Sequence, residues 1–378
     1  MIHSGSTIES LYTLFPFIIS PFNHLLAYLH VDSKEVYRIY GQCVILVRVF
    51  KGNELYKNNE KKKREFIAHF KKRFDRVIIL DDGAGGDSLH VEYLDLVNLY
   101  YKGKLFHDRD NYLKPMYGRQ LFTNYYHEHF RINDHAVKMR EAPAHPELLD
   151  KLRISWNLGY GIYPLPRKTL TKLAKETIKL GGVRLLRPWF ISNHKKLMDV
   201  LDKPVDLANK LKKVQARFGK NALPETVRHQ RYLFLEKCRK CAVVLSGAVS
   251  PKAYNKEMEQ VAGVLSPFGW GEICFRDFEA IINGAILIKP DMSHLETWPD
   301  IYKNGKTYLP VDWNGDNLID VINSVSNNPE QYIDIVENSR KVYRNALRSL
   351  DNKVAEFLIE ATAMKVEDDL LYVEHAAS

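Results

Sequence analysis

The chain has 378 residues, a formal net charge of +9 and a pI near 9.1, with 45% hydrophobic and 27% charged residues. Such a length and balance describe a soluble globular protein with two cores of ordinary domain size, and the excess of positive charge calls for anionic partners such as a nucleotide sugar, a phospholipid surface or nucleic acid. The four cysteines, Cys43, Cys238, Cys241 and Cys274, are too few for a disulfide framework and indicate a reducing, cytoplasmic compartment.

Residues 11–29 form an apolar run broken by Pro16, Pro21, Asn23 and His24. It falls short of the ~20 uninterrupted apolar residues of a spanning helix and has no basic flank before it, so a helix packed on the first domain is expected. A peripheral membrane contact, helped by the basic clusters at 61–64 and 71–73, is the secondary expectation. Residues 43–50 are a β-branched run, a charged segment up to Phe74 suits a helix, and 76–82 is a second apolar run, which together make a β-α-β unit. The second strand enters a glycine-rich loop, Asp81 to Asp87, at the carboxyl end of a strand, where α/β sheets place their ligands. A third apolar run covers 94–101. Asp108 and Asp110 match a three-residue metal signature without the fold context that uses it, so no metal is expected there. The aromatic run 122–130 reads as a packed strand, which would turn His127 and His129 to one side. Residues 153–161 suggest a strand and a flexible turn, Pro164 and Pro166 mark a change of organisation, and the basic, partly helical stretch 167–203 reads as a bridge.

The second half alternates more regularly. A strand is expected from 204 to 208, a helix over 224–237, a strand over 242–247, a short helix over 253–260 and a strand over 261–265. Cys238 and Cys241 have ligand-like spacing but no second pair to complete a zinc site, so they read as helix-end residues. After the turn 268–271 comes a helix carrying Arg276 and Glu279 on one face, then an apolar strand from Gly284 and a polar exit loop, 291–294. Asp312, Asn314 and Asp316 begin like a calcium loop but lack its later glutamate, so a helix-start turn is expected. Strands alternating with helices require a parallel sheet covered on both faces.

The strand, glycine-bearing turn, Arg-x-x-Glu-Ala helix and second strand across 265–294 resemble the GT-B fold glycosyltransferases, in particular the glycosyltransferase family 1 and exostosin-like group. The resemblance covers residues 205–322 and the first half loosely. It implies an α/β protein of two Rossmann-like, doubly wound domains facing a cleft. On this reading residues 1–166 are the acceptor side, 167–203 the bridge, 204–354 the nucleotide-sugar domain and 355–378 a final helix and tail, the helix packing back on the first domain. The implied activity moves a sugar from a UDP- or GDP-sugar to a glycan, lipid-linked or other hydroxyl acceptor, with no metal or other cofactor and no nucleic acid partner. A nucleotide-binding module without transferase activity and a basic nucleic-acid-binding protein are the alternatives.

The residues divide by task. Charge on the departing diphosphate is assigned first to Arg276, then to Arg228 and Arg231 and to backbone amides around Gly269 and Gly271. The resemblance places ribose on Glu279. Glu272 stands one residue closer to it than the Glu-x7-Glu spacing of many relatives. Ser293 and His294, in the exit loop, are candidates for diphosphate or sugar. The base for an acceptor hydroxyl is sought in Asp87, then Asp82, with His90 next.

Overall fold

The computed structural model describes residues 1–4, 8–50, 56, 59–83, 89–137, 139–140, 142–159, 167–219 and 223–363. Asp87 lies outside them, as does residue 166, the expected domain boundary.

The first half contains β1 (Ile2–His3), β2 (Leu29–His30), β3 (Gly41–Val47), β4 (Phe74–Asp81), β5 (Leu99–Lys102), β6 (Lys104–Phe106) and β7 (Leu152–Ile154), with helices α1 (Ile8–Ile19), α2 (Glu60–Lys71) and α3 (Leu121–Phe130). All of these strands but β6 form one parallel sheet in the order β2-β1-β3-β4-β5-β7. Two further helices, α4 (Arg167–Gly181) and α5 (Arg187–Leu201), lead to the second half. There β8 (Leu211–Ala216), β9 (Val244–Ser246), β10 (Val261–Leu265), β11 (Ile286–Pro290) and β13 (Leu309–Val311) pair in parallel in the order β13-β11-β10-β8-β9, while β12 (Leu295–Thr297) stays outside. Helices α6 (Glu225–Cys238), α7 (Pro251–Gln260), α8 (Phe275–Ile282), α9 (Leu318–Asn327), α10 (Ile333–Arg348) and α11 (Leu350–Thr362) complete the chain.

Counted from its own first strand, the first sheet has the doubly wound order 2-1-3-4-5-6 and the second 2-1-3-4-5, reversing direction between β1 and β3 in one and between β8 and β10 in the other. A crevice opens at the carboxyl ends of the strands at such a reversal. The two carboxyl edges face each other: β6, just beyond β5, pairs antiparallel with β12, just beyond β11. These are two Rossmann-like α/β units across a cleft, the GT-B architecture.

The apolar run at 11–29 is explained by burial. Leu11, Leu14, Phe15, Phe17 and Ile18 of α1 are at most 1% exposed. Phe190 of α5 packs on Phe15 at 5.2 Å, and Phe357 of α11 packs on Phe17 at 5.1 Å. Helix α11 thus returns to the first half, where Arg76 Nε donates to the Ala361 carbonyl at 2.7 Å and satisfies a helix-end acceptor.

Two sequence expectations fail. Residues 204–208 are irregular and the strand starts at Leu211, because Leu211, Lys212 and Lys213 occupy its open end and only 214–216 are buried. Residues 121–130 are a helix, opened by a Gln120–Thr123 capping box. Its buried Phe122, Thr123 and Tyr126 follow the helical period, so His127 and His129 diverge, one stacking on Tyr117 at 3.8 Å and the other on Tyr125 at 4.2 Å. Helix α3 leaves the first half to pack on α6, and beyond it Asp134 Oδ1 accepts the Thr226 amide at 2.9 Å, capping α6.

Candidate functional site

The loops after β8 and β10 leave the second sheet at its reversal point. Arg217, just past β8, forms a two-pronged pair with Glu257 at 3.0 and 2.7 Å, and its carbonyl accepts Arg276 Nη2 at 3.0 Å. From α6, Arg231 Nε donates to the Phe268 carbonyl at 2.7 Å and Nη1 to the Gly219 carbonyl at 2.6 Å. The guanidinium carbons of Arg231 and Arg276 lie 5.9 and 5.7 Å from the centre of the same Phe218 ring. Burial pulls the Arg231 pKa down, and the Arg276 charge pulls it the same way against Cys274. Among the described residues the partners of these two arginines are backbone carbonyls and the Tyr254 hydroxyl, and Arg276 Nε, though buried, has none. Among the described residues neither guanidinium group has a carboxylate hydrogen-bond partner, which leaves two positive charges gathered at the reversal point.

Glu279, one turn beyond Arg276 on α8, accepts the Tyr254 hydroxyl at 2.6 Å through Oε2. Burial and then the Glu279 charge push the Tyr254 phenol above its ordinary pKa, which keeps it a neutral donor. Arg276, Tyr254 and Glu279 are therefore one connected group with a cation at one end and a carboxylate at the other.

The amides of the 268–271 turn are used otherwise than expected. Phe268 N donates to Gln230 Oε1 at 2.8 Å and Gly269 N to the Gly271 carbonyl at 2.9 Å, so neither points to a ligand. Glycine at 269 serves Arg231, since a Cβ there would lie 2.9 Å from Arg231 Nη2. Gly271 is buried and Glu272 fully so. Arg228 stands on the outer face of α6 and pairs with Glu225, away from the contacts of Arg231. Ser293 is exposed, with its amide 2.6 Å from Asp291 Oδ1. His294 lies between the halves: its carbonyl accepts the His107 amide at 3.0 Å and its ring packs 5.2 Å from Trp313 and 6.2 Å from Phe106. Burial lowers its pKa against the pull of Glu272 and Asp291, and its buried Nε2 has no partner among the described residues.

Across the cleft, Asp82 follows β4. Its Oδ2 accepts Arg48 Nη1 at 2.7 Å and Thr13 Oγ1 at 2.6 Å. Burial raises the Asp82 pKa, and the neighbouring Asp81 adds to the rise, against the opposing pull of Arg48 and Thr13. Asp82, Arg48, Thr13, Lys104 and Asn157 line a cavity of about 140 Å³ together with Phe275 from the start of α8. Asp81 differs from its neighbour: burial opposes its charge, but Lys102 at 2.7 Å, His90 and the Tyr100 hydroxyl hold it below the usual carboxylate range. His90 stacks on Tyr93 and bonds Glu92 at 3.2 Å, lining an adjacent cavity with Asp81 and Asp82.

The sequence reading missed Arg217, Phe218, Tyr254, Arg48 and Lys102. An arginine closing the β-branched run at 48 and a lysine closing the aromatic one at 102 were legible signals, since charges at strand ends of an α/β sheet face its ligand edge. Tyr254, inside a short charged helix, carried none. Asp108 is occupied as a cap, accepting the Asp110 amide at 3.0 Å, and among the described residues no group of three metal-ligating side chains occurs. A larger cavity, about 370 Å³, lies at the opposite, amino edge of the second sheet, where the guanidinium of Arg340 is taken up by backbone carbonyls. No described helix is long and apolar enough to cross a membrane.

No known family model matches the chain, and no curated protein matches it in sequence. Among solved structures, Anabaena Alr3699/HepE in complex with UDP-glucose is 10% identical with a TM-score of 0.43, the match covering 95% of this chain and 99% of that one. An alpha-glucosyltransferase in complex with UDP and a 13-mer DNA containing an HMU base is 9% identical with a TM-score of 0.45, covering 96% and 98%. A glycosyltransferase from Rickettsia africae ESF-5 is 10% identical with a TM-score of 0.41, covering 95% and 97%. All three are distant likenesses.

Proposed function

We propose that the protein is a glycosyltransferase that takes a nucleotide diphosphate sugar in the second half and passes the sugar to a hydroxyl acceptor held by the first. The observation that carries this reading is the pair Arg231 and Arg276 at the reversal point of the second sheet, joined through Tyr254 to Glu279. The two guanidinium groups suit a diphosphate, bidentate donors meeting non-bridging oxygens, and the Glu279 carboxylate suits ribose hydroxyls. His294, packed between the halves on Trp313 and Phe106, is the remaining candidate for the sugar, with the buried Glu272 behind it. With arginine charge stabilising the departing nucleotide, no metal is needed, and turnover withstands chelation. Asp82, which lines one cavity with Phe275 of the second half, takes the acceptor proton if the reaction inverts configuration.

The test is a thermal-shift screen of UDP- and GDP-sugars, since a ligand of the folded state raises apparent stability by mass action. A UDP- or GDP-sugar should raise the melting temperature in wild type and lose that effect in Arg276→Ala. A protein that responds to no nucleotide sugar, or whose Arg276→Ala variant responds equally, would remove the reading.

A further inference from the structure

Between Glu176 and Asp199 the chain contains no acidic residue and carries Arg184, Arg187, Lys195 and Lys196. Along α5 and the turn before it, Arg184, Arg187, Ile191 and Lys195 recur at the spacing of one helix face, and all are exposed. The opposite side is filled, with Phe190, Leu197 and Leu201 at most 2% exposed. Yet Leu185 is 54% and Ile191 41% exposed, surplus to the packing of this helix. Leu25, 63% exposed, joins them: Arg184 Nη2 donates to the Asn23 carbonyl at 3.1 Å and to that of Leu26, fixing that turn beside residue 185. Leu25, Leu185 and Ile191 thus stand exposed beside four basic residues.

We propose that this face, with Leu25, Leu185 and Ile191 among Arg184, Arg187, Lys195 and Lys196, docks on an anionic phospholipid surface. Arg184 and Arg187 are anchored on the carbonyls of Ile18, Ile19, Asn23 and Leu26, so headgroups take chiefly Lys195 and Lys196 while the acyl boundary takes the aliphatic tips. Nucleic acid would satisfy the charges and leave the leucines and isoleucine wet. Of the 11–29 run only Leu25 belongs to this face, since Leu11, Leu14, Phe15, Phe17 and Ile18 of α1 are buried. Trp189 and Phe190 on the inner side of α5 pack on Tyr12 at 6.1 and 5.6 Å, and Tyr12 lines the cavity of Asp82, so the docking helix is joined to that cavity. The inference does not depend on the transferase reading.

The full chain is sedimented with vesicles of phosphatidylcholine alone and of phosphatidylcholine mixed with phosphatidylglycerol. Binding is expected to the anionic vesicles only and to weaken with salt. Lys195→Gln with Lys196→Gln should weaken it about 25-fold, on the order of fivefold per surface charge. Leu185→Gln with Ile191→Gln should weaken it while leaving its salt dependence unchanged, which separates insertion from charge. These positions are exposed, so both variants should melt like wild type. The proposal is overturned if anionic vesicles do not sediment the protein at low salt, if both double variants bind as wild type does, or if the lysine pair affects only a DNA duplex.

Discussion

The backbone amide of Phe268 donates to Gln230 Oε1 at 2.8 Å, and the other end of the same amide side chain, Nε2, donates to the Tyr126 hydroxyl at 2.7 Å. Tyr126 in turn donates to the Trp313 carbonyl. Phe268, Gln230 and Tyr126 are buried, and Tyr126 comes from the helix that leaves the first half. The turn whose Phe268 carbonyl holds Arg231 is thus fixed from across the cleft. Gln230→Ala orphans the Phe268 amide and leaves the Tyr126 hydroxyl only its bond to Trp313, which should cost ~1–3 kcal/mol of stability for the amide and weaken nucleotide-sugar binding. Gln230→Glu keeps the acceptor for Phe268 and should restore part of the affinity. Denaturant titration and calorimetry read both, and equal affinity in the alanine variant would disconnect the relay from the site.

Glu279 and Tyr254 make a graded pair. A charged hydrogen bond to the ligand is worth ~1.5–3 kcal/mol, so Glu279→Ala should cost on the order of tenfold to a hundredfold in donor affinity. Tyr254→Phe keeps the carboxylate and removes only the hydroxyl between it and Arg276, so its loss should be smaller. Calorimetry with the nucleotide sugar found by the screen orders the variants, and unchanged affinity in a folded Glu279→Ala protein would take ribose away from this residue.

Asp82 should separate chemistry from donor binding. Asp82→Asn retains the shape of the side chain and removes the base, so kcat should fall ~10²- to 10⁴-fold while donor affinity stays near wild type. Because burial raises the Asp82 pKa, the acid limb of the kcat profile should lie above the ordinary aspartate range. A normal rate in Asp82→Asn would move the base to Asp87 or His90, or indicate a retaining enzyme that uses none.

Much of the arrangement was legible because local pattern and tertiary demand agree. The runs at 43–50, 76–82 and 261–265 are apolar enough to be read as buried strands, and the Arg276–Glu279 spacing fixes one helix face by geometry alone. Two failures share a cause. Strand β8 opens with Leu211, Lys212 and Lys213 at its uncovered end, and α3 is an aromatic segment whose helical period is stated only by which rings are buried. The site was half visible. Arg276 and Glu279 stand out, whereas Phe218, Tyr254 and Gln230 are ordinary in sequence and acquire their roles by converging from separate loops and helices. The sequence points to the backbone amides around Gly269 for a diphosphate, whereas in the structure the Gly269 amide bonds the Gly271 carbonyl and the missing side chain makes room for Arg231.

His3 offers a test of the fold itself. It lies in β1, 3% exposed, with its ring 5.8 Å from that of His30 and, among the described residues, no partner for its buried Nδ1. Burial, then His30 and the amino terminus, lowers its pKa to about 3 from an unfolded value of 6.5. A depressed folded pKa means that the unfolded chain binds the proton more readily, so stability is full above about pH 6.5 and is lost as pH falls towards 3. At about pH 5 the two pKa values differ in effect by roughly 1.5 units, a loss of ~2 kcal/mol. His3→Phe removes the titrating group, and its unfolding free energy should change less than that of wild type by about this amount between pH 8 and pH 5. Equal slopes in urea titrations of the two proteins across that range would place the acid sensitivity elsewhere.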